Sequence, residues 1–178
     1  MTMEIELHIE ELETERRWNR LEEFREEGVL GRFLGYRDDE TFIWLGVAGT
    51  VRASAFVRRD RTVRMTSRTE VDFARIADPL LELRQYRVVP GTRSRFAAFL
   101  LERSYDEHVR LGMPVYGPFE SLDDENVIVW FRGFSDLQQR DRVKAQFYQG
   151  ALWVDELEAI AMPMIEDYKN VMLVTPVR

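Results

Sequence analysis

The chain has 178 residues, with 25 Lys and Arg against 32 Asp and Glu, a formal charge of −7, two His and no Cys. With 45% hydrophobic residues it reads as a globular chain of one domain or two small ones. The lack of Cys excludes disulfides, zinc–thiolate sites, iron–sulfur clusters and Cys nucleophiles.

The acidic balance argues against nucleic acid, whose phosphates demand clustered positive charge. The longest apolar run, residues 42–49, is strand-sized rather than the roughly 20 residues of a membrane helix. No membrane partner is expected, and an acidic start without a basic, apolar leader makes the cytoplasm the expected compartment. Charge is uneven along the chain. Residues 1–27 carry ten acids and four Arg, and residues 49–75 carry seven Arg and three acids. The two stretches either face each other or are separate solvated surfaces.

Met3–Ile9 alternates as a strand, and a helix follows over Thr14–Glu27 with Trp18, Leu21 and Phe24 on one side. Val29–Tyr36 and Glu40–Val47 read as strands joined by the acidic turn at 37–40. A short helix is expected near Thr50–Arg58. Beyond it only Thr62–Val71 has strand character, and region 59–75 lacks a clean final strand. The second half is clearer. Leu80–Val88 is a strand, Thr92 caps a helix running to Leu111, and Gly112 stops it. Pro114–Phe119 and Val127–Arg132 are strands around a turn at 121–126. Ser135 caps a helix to Tyr148, Leu152–Ala161 is helical, and Val171–Thr175 is a last strand.

The order β-α-β-β-α-β thus occurs twice, with Trp44 aligned on Trp130 at an offset of 86. This is the ferredoxin-like unit. Val127, Val129 and Phe131 lie on one face of their strand and Ile128, Trp130 and Arg132 on the other, so both faces need covering. The expected fold is α+β: tandem ferredoxin-like repeats, 1–78 and 79–178, whose sheets close face to face as a barrel.

Leu81–Gly91, Gly112–Gly117, Val129–Ser135, Arg140, Ala145–Gly150 with Trp153, and Tyr168–Thr175 together resemble the NIPSNAP family over about residues 81–175. The resemblance implies the dimeric α/β-barrel superfamily, in which two ferredoxin-like sheets pair. Cofactor-independent quinol-type monooxygenases and haem-degrading enzymes are relatives in that superfamily. It implies a fold and no particular chemistry.

Candidate functional residues come from three elements. On the long helix, a turn of about 100° per residue places Arg103, Ser104 and Glu107 beside the apolar stripe of Phe96, Ala97, Leu100 and Leu111. Arg103 and Glu107, at i,i+4, either pair with each other at a solvent-exposed helix end or reach a cavity and hold a polar ligand group. His108 suits a dipole-stabilised imidazolium near the helix C-terminus; as a catalytic candidate it is a general base or a haem ligand. Ser104, His108 and Asp106 do not make a hydrolase triad, because Asp106 points away. His8, on a strand with glutamates, is expected to be exposed. The strand aromatics Trp44, Tyr86, Tyr116 and Trp130 either fill a core or wall a pocket for a flat apolar or aromatic molecule. Arg132 shares the side of Trp130 and is the strand-borne candidate for stabilising an anion, whereas Arg140 reads as structural.

Metal spacing is absent, and no cofactor is expected. The functional expectation is a small-molecule site inside the barrel, serving a cofactor-independent monooxygenase. A noncatalytic interaction module and a haem-binding protein are the alternatives. A homodimer through exposed edges or helices is a further expectation.

Overall fold

Val127, Val129 and Phe131 pack into one apolar cluster, and Ile128, Trp130 and Phe134 into another on the opposite face of the same strand. All eight residues of that strand are buried, so the sheet is covered on both sides, as its two apolar faces require. The computed structural model describes residues 3–23, 28–50 and 54–177. The strands are β1 (Glu4–Leu12), β2 (Val29–Gly35), β3 (Thr41–Val47), β4 (Val57–Ser67), β5 (Leu80–Val88), β6 (Val115–Ser121), β7 (Val127–Phe134), β8 (Ile165–Asp167) and β9 (Val171–Pro176). The helices are α1 (Arg17–Glu23), α2 (Arg93–Ala98), α3 (Tyr105–Arg110), α4 (Leu137–Tyr148) and α5 (Glu158–Ala161).

The strand order is β7-β6-β4-β1-β3-β2-β9-β5, and a β7–β5 pairing closes the ring. The short β8 pairs with β5 at Arg87 and Val88. Each half has the ferredoxin-like order: β4-β1-β3-β2 in the first and β9-β5-β7-β6 in the second. The halves meet at two equivalent seams, β4 with β6 and β2 with β9. Cross-strand register carries the same kinship, because His8 pairs with Trp44 as Arg84 pairs with Trp130. Glu6 therefore corresponds to Glu82, Glu10 to Tyr86 and Gly46 to Arg132.

The barrel interior is filled. Ile5, Leu7, Ile43, Leu45, Leu81, Leu83 and Val174 pack there with Phe33, Phe119 and Phe131. Phe73 and Ile76, from the connection between the halves, join them. The Phe33 and Phe131 ring centroids are 5.6 Å apart, and those of Phe73 and Phe119 are 5.8 Å apart. An interior chamber is thus corrected: apolar side chains occupy the place expected for a ligand.

Several local expectations are revised as well. Residues 24–27 of the first expected helix and 51–53 of the second lie outside the described residues. Val57 and Arg58, expected to be helical, begin β4, which runs eleven residues. The acidic β1 and the Arg-rich β4 do face each other, as hydrogen-bonded neighbours. Asp136, not Ser135, caps α4, its carboxylate accepting from the Gln139 amide at 2.7 Å. Thr92 makes no capping bond and donates instead to the Val89 carbonyl at 2.7 Å. Gly112 does terminate the long helix, at φ +75°, where a residue with a Cβ is strained.

Candidate active site

Glu82, Arg84 and Tyr86 alternate with Leu81, Leu83 and Gln85 along β5, so their side chains leave the sheet on its outer face, toward the helices. Arg132 on β7 stands directly across from Glu82, and Trp130 across from Arg84. Arg140 and Lys144 descend from α4, four residues apart and therefore on one face of it. All four cations contact one carboxylate. Arg132 donates to Glu82 Oε2 through Nε (3.0 Å) and Nη2 (2.6 Å), and Arg84 Nη1 donates to the same oxygen at 2.6 Å. Arg140 Nε (2.7 Å) and Lys144 Nζ (3.1 Å) donate to Oε1.

Glu82 is fully buried. Burial alone raises its pKa, but the charges of Arg132, Arg84 and Lys144 outweigh that and hold the carboxyl well below its usual range. Burial pulls the Lys144 ammonium below its ordinary value, against the opposing attraction of Glu82.

Beside this cluster lies a cavity of about 700 Å³ between the sheet and the helices of the second half. Arg84, Arg132, Arg140 and Lys144 belong to its wall, with Tyr86, Phe96, Phe99, Trp130, Phe147, Tyr148 and Trp153. Arg84 also donates to the Tyr86 hydroxyl, and Arg132 Nη1 to the Tyr148 hydroxyl at 3.2 Å. The two phenols diverge. Burial pushes Tyr86 up; it acts on Tyr148 too, but there the Arg132 and Arg84 charges prevail and bring the phenol below its ordinary value.

His108 and Ser104 complete the wall. His108 Nδ1 lies 2.7 Å from the Ser104 carbonyl oxygen. A carbonyl only accepts, so Nδ1 carries the proton and Nε2 a lone pair. Burial lowers the His108 pKa to about 4, with Arg132 and Arg84 acting in the same direction. The expected imidazolium is therefore corrected: this ring, 4% exposed, is neutral at physiological pH. Ser104 Oγ donates to the Leu100 carbonyl at 3.2 Å and is not poised as a nucleophile.

Of the residues singled out from the sequence, Tyr86, His108, Trp130 and Arg132 share this cavity, and four do not. Arg103 is exposed and pairs with Glu156, while Glu107 accepts from Arg110 Nε at 2.6 Å. Their expected mutual pair fails because Phe99–Ser104 is π-helical. Its i→i+5 bonding turns the chain by less per residue than an α-helix and shifts the phase of every later side chain.

Tyr116 packs against the barrel core and donates to Asp78. Trp44 lies on the outer face of the first half, where its indole donates to Glu10 Oε1 at 2.9 Å. Glu10 is buried and also accepts from Arg20 at 2.7 Å. His8, expected in solvent, is 8% exposed and stacks on Trp44 with centroids 3.8 Å apart.

Glu82, Arg84, Lys144 and Tyr148 escaped notice in the sequence, and Arg140 belongs to the site rather than only to structure. The available signal was the charged pair Glu82 and Arg84 at alternate positions around Leu83 in β5, which puts both on one face of the strand. Among the described residues, no group of three or more His, Asp or Glu is arranged to hold a metal ion. His108 Nε2 is the nitrogen lone pair offered by the described cavity wall.

No protein-family model matches the sequence, and no curated protein matches it. Solved structures do. A "putative monooxygenase" from Lactobacillus acidophilus NCFM superposes with a TM-score of 0.67 at 11% identity, over 99% of this chain and 94% of that one. This is the dimeric α/β-barrel fold, held within one chain. An anthrone oxidase-like protein matches that barrel equally, with a TM-score of 0.67 at 10% identity, over 99% of this chain and 92% of the other. A NIPSNAP-like domain protein from Burkholderia xenovorans matches 55% of the barrel chain and 84% of its own, with a TM-score of 0.50 at 19% identity. The NIPSNAP likeness read in the sequence is thus present in the structure, over about the length of one repeat.

Proposed function

We propose that the cavity binds a planar aromatic molecule that loses a proton in place, and that the barrel acts on it as a cofactor-independent monooxygenase. The observation that carries this reading is unbalanced positive charge beside an aromatic wall: four cations share Glu82, and among the described residues only Arg140 of the four has a second carboxylate, Asp141 at 2.7 Å. An anion forming there replaces water with fixed guanidinium donors. Both full-length neighbours named above carry oxidative descriptions, which agree with the proposal.

On an anthrone-type substrate the methylene carbon gives up a proton and becomes an enolate held by Arg132 and Arg84. His108 Nε2 accepts it and, too weakly basic to keep it at pH 7, returns it to the peroxide oxygen that forms in the next step. The anion gives one electron to O2, and the resulting radicals join at carbon as a hydroperoxide. Loss of water then leaves a carbonyl, so one oxygen atom enters the product and the other leaves with the two methylene hydrogens. Oxygen-electrode measurements with 1,8-dihydroxyanthrone and substituted hydroquinones test this. One O2 consumed per anthrone above the uncatalysed rate, cut at least tenfold in Arg132→Met, is expected; no uptake above background with any of them overturns it.

A second reading rests on the His108 lone pair, which is the group axial haem ligation would use. A haem titration then gives a Soret shift that His108→Ala abolishes, and an unshifted spectrum removes it. The filled barrel interior also suits a noncatalytic interaction module, in which the outer surface would carry the function.

A further inference from the structure

Resting on the proposed aromatic site, we infer that its ligand carries a permanent carboxylate or equivalent oxyanion, held at the Arg140–Lys144 side of the cluster, in addition to the group that ionises during turnover. The donor arithmetic requires an acceptor. A carboxylate offers about four lone-pair sites, and Glu82 already receives five hydrogen bonds from its four cations. With the exposed Asp141 counted, the cluster still holds two more positive than negative charges. Buried charge without a partner is costly, and one ionised substrate oxygen cancels only one of the two. Arg84 Nε, in a residue 5% exposed, has no acceptor among the described residues.

The cluster has two sides. Arg84 and Arg132 address Oε2, touch Tyr86 and Tyr148, and are almost wholly buried. Arg140 and Lys144 address Oε1 and keep 18% and 26% of their side chains exposed. The deep pair, sharing the cavity wall with Trp130 and His108, suits the reacting oxygen. The α4 pair, nearer solvent, suits a group that stays ionised throughout. The preferred substrate is therefore an aromatic acid, favoured over the neutral phenol or anthrone of the same ring system.

Binding without turnover separates this inference from the oxygenase reading. Quenching of protein fluorescence is followed with 9-anthracenecarboxylate and with the neutral 9-anthracenemethanol, on the full chain. The acid is expected to bind at least tenfold tighter. In Arg140→Gln/Lys144→Met that preference falls to within about twofold, while the affinity for the alcohol moves less than threefold. Equal binding of the two probes by the unaltered protein, or a preference that persists in the double variant, overturns the inference. Binding of neither defeats both the cavity reading and the inference. Selective acid binding with no oxygen uptake leaves the inference standing and defeats the oxygenase reading alone.

Discussion

His108 ties the chemistry of the site to stability. Its folded pKa is lowered to about 4, first by burial and then by Arg132 and Arg84, from an unfolded value near 6.5. Between those values the unfolded chain binds a proton that the native ring refuses. The native state is therefore at no disadvantage above about pH 6.5 and loses stability as pH falls toward 4. From pH 7 to pH 5 that loss amounts to about 2 kcal/mol. Denaturant titrations at the two pH values should show it, and His108→Gln, which keeps an amide donor near the Ser104 carbonyl, should reduce the slope. An unchanged slope would mean that the ring titrates normally. Part of the site was legible at this scale. Period-two alternation in β7 puts Arg132 on the side of Trp130, and both stand in the cavity wall. Glu82 was not legible as its centre, because the alternation in β5 puts it beside Arg84 but does not show that Arg132 from β7 and Arg140 and Lys144 from α4 converge on it.

Elements were readable where both of their faces are buried, and obscure where one is wet. β7 is a nearly continuous apolar run and β5 is buried at seven of its nine positions, and the starts of both follow from the sequence to the residue. β4 is as regular, yet only Val63 and Met65 of its eleven residues are buried, and Arg and Thr fill the solvent face. That leaves hardly any alternation to detect. The long helix failed differently. Its existence and its Gly112 stop follow from composition, but the π-helical stretch Phe99–Ser104 is invisible to a fixed period. That stretch decides which side chains face inward: Ser104 and His108 are buried, while Arg103 points out to Glu156. The same comparison explains why the first half lacks this site. The position of Arg132 is taken there by Gly46, where a Cβ would lie 2.8 Å from Trp44 Cζ3. Arg84 is replaced by His8, whose ring lies flat on that indole. The first repeat uses its outer face for packing, with α1 docked through the buried Arg20–Glu10 pair.

At the scale of the molecule, the repeat predicted from a shared tryptophan and a shared element order becomes a closed barrel with two equivalent seams. Each seam joins the fourth strand of one half to the second strand of the other. A half separated from its mate would expose Leu81, Leu83, Val127, Val129 and Phe131, all buried in the barrel. It would also expose both seam edges, β6 and β9. Those edges are the second and fourth strands of one ferredoxin-like unit, so two copies of the same half can pair β6 with β9 twice about a twofold axis. The Burkholderia NIPSNAP-like protein matches only 55% of this chain, one repeat of such a barrel. We therefore expect the separately expressed fragment 79–178 to form a symmetric dimer by sedimentation equilibrium, burying the face that the first half covers here. Glu82 and its cations lie on the outer face of the sheet, and the cavity wall is built from residues of the second half, so the dimer should hold two cavities and bind two equivalents of 9-anthracenecarboxylate. A well-folded monomer would show that the second half does not need the buried face covered, and that closure by an internal mate is not what stabilises it.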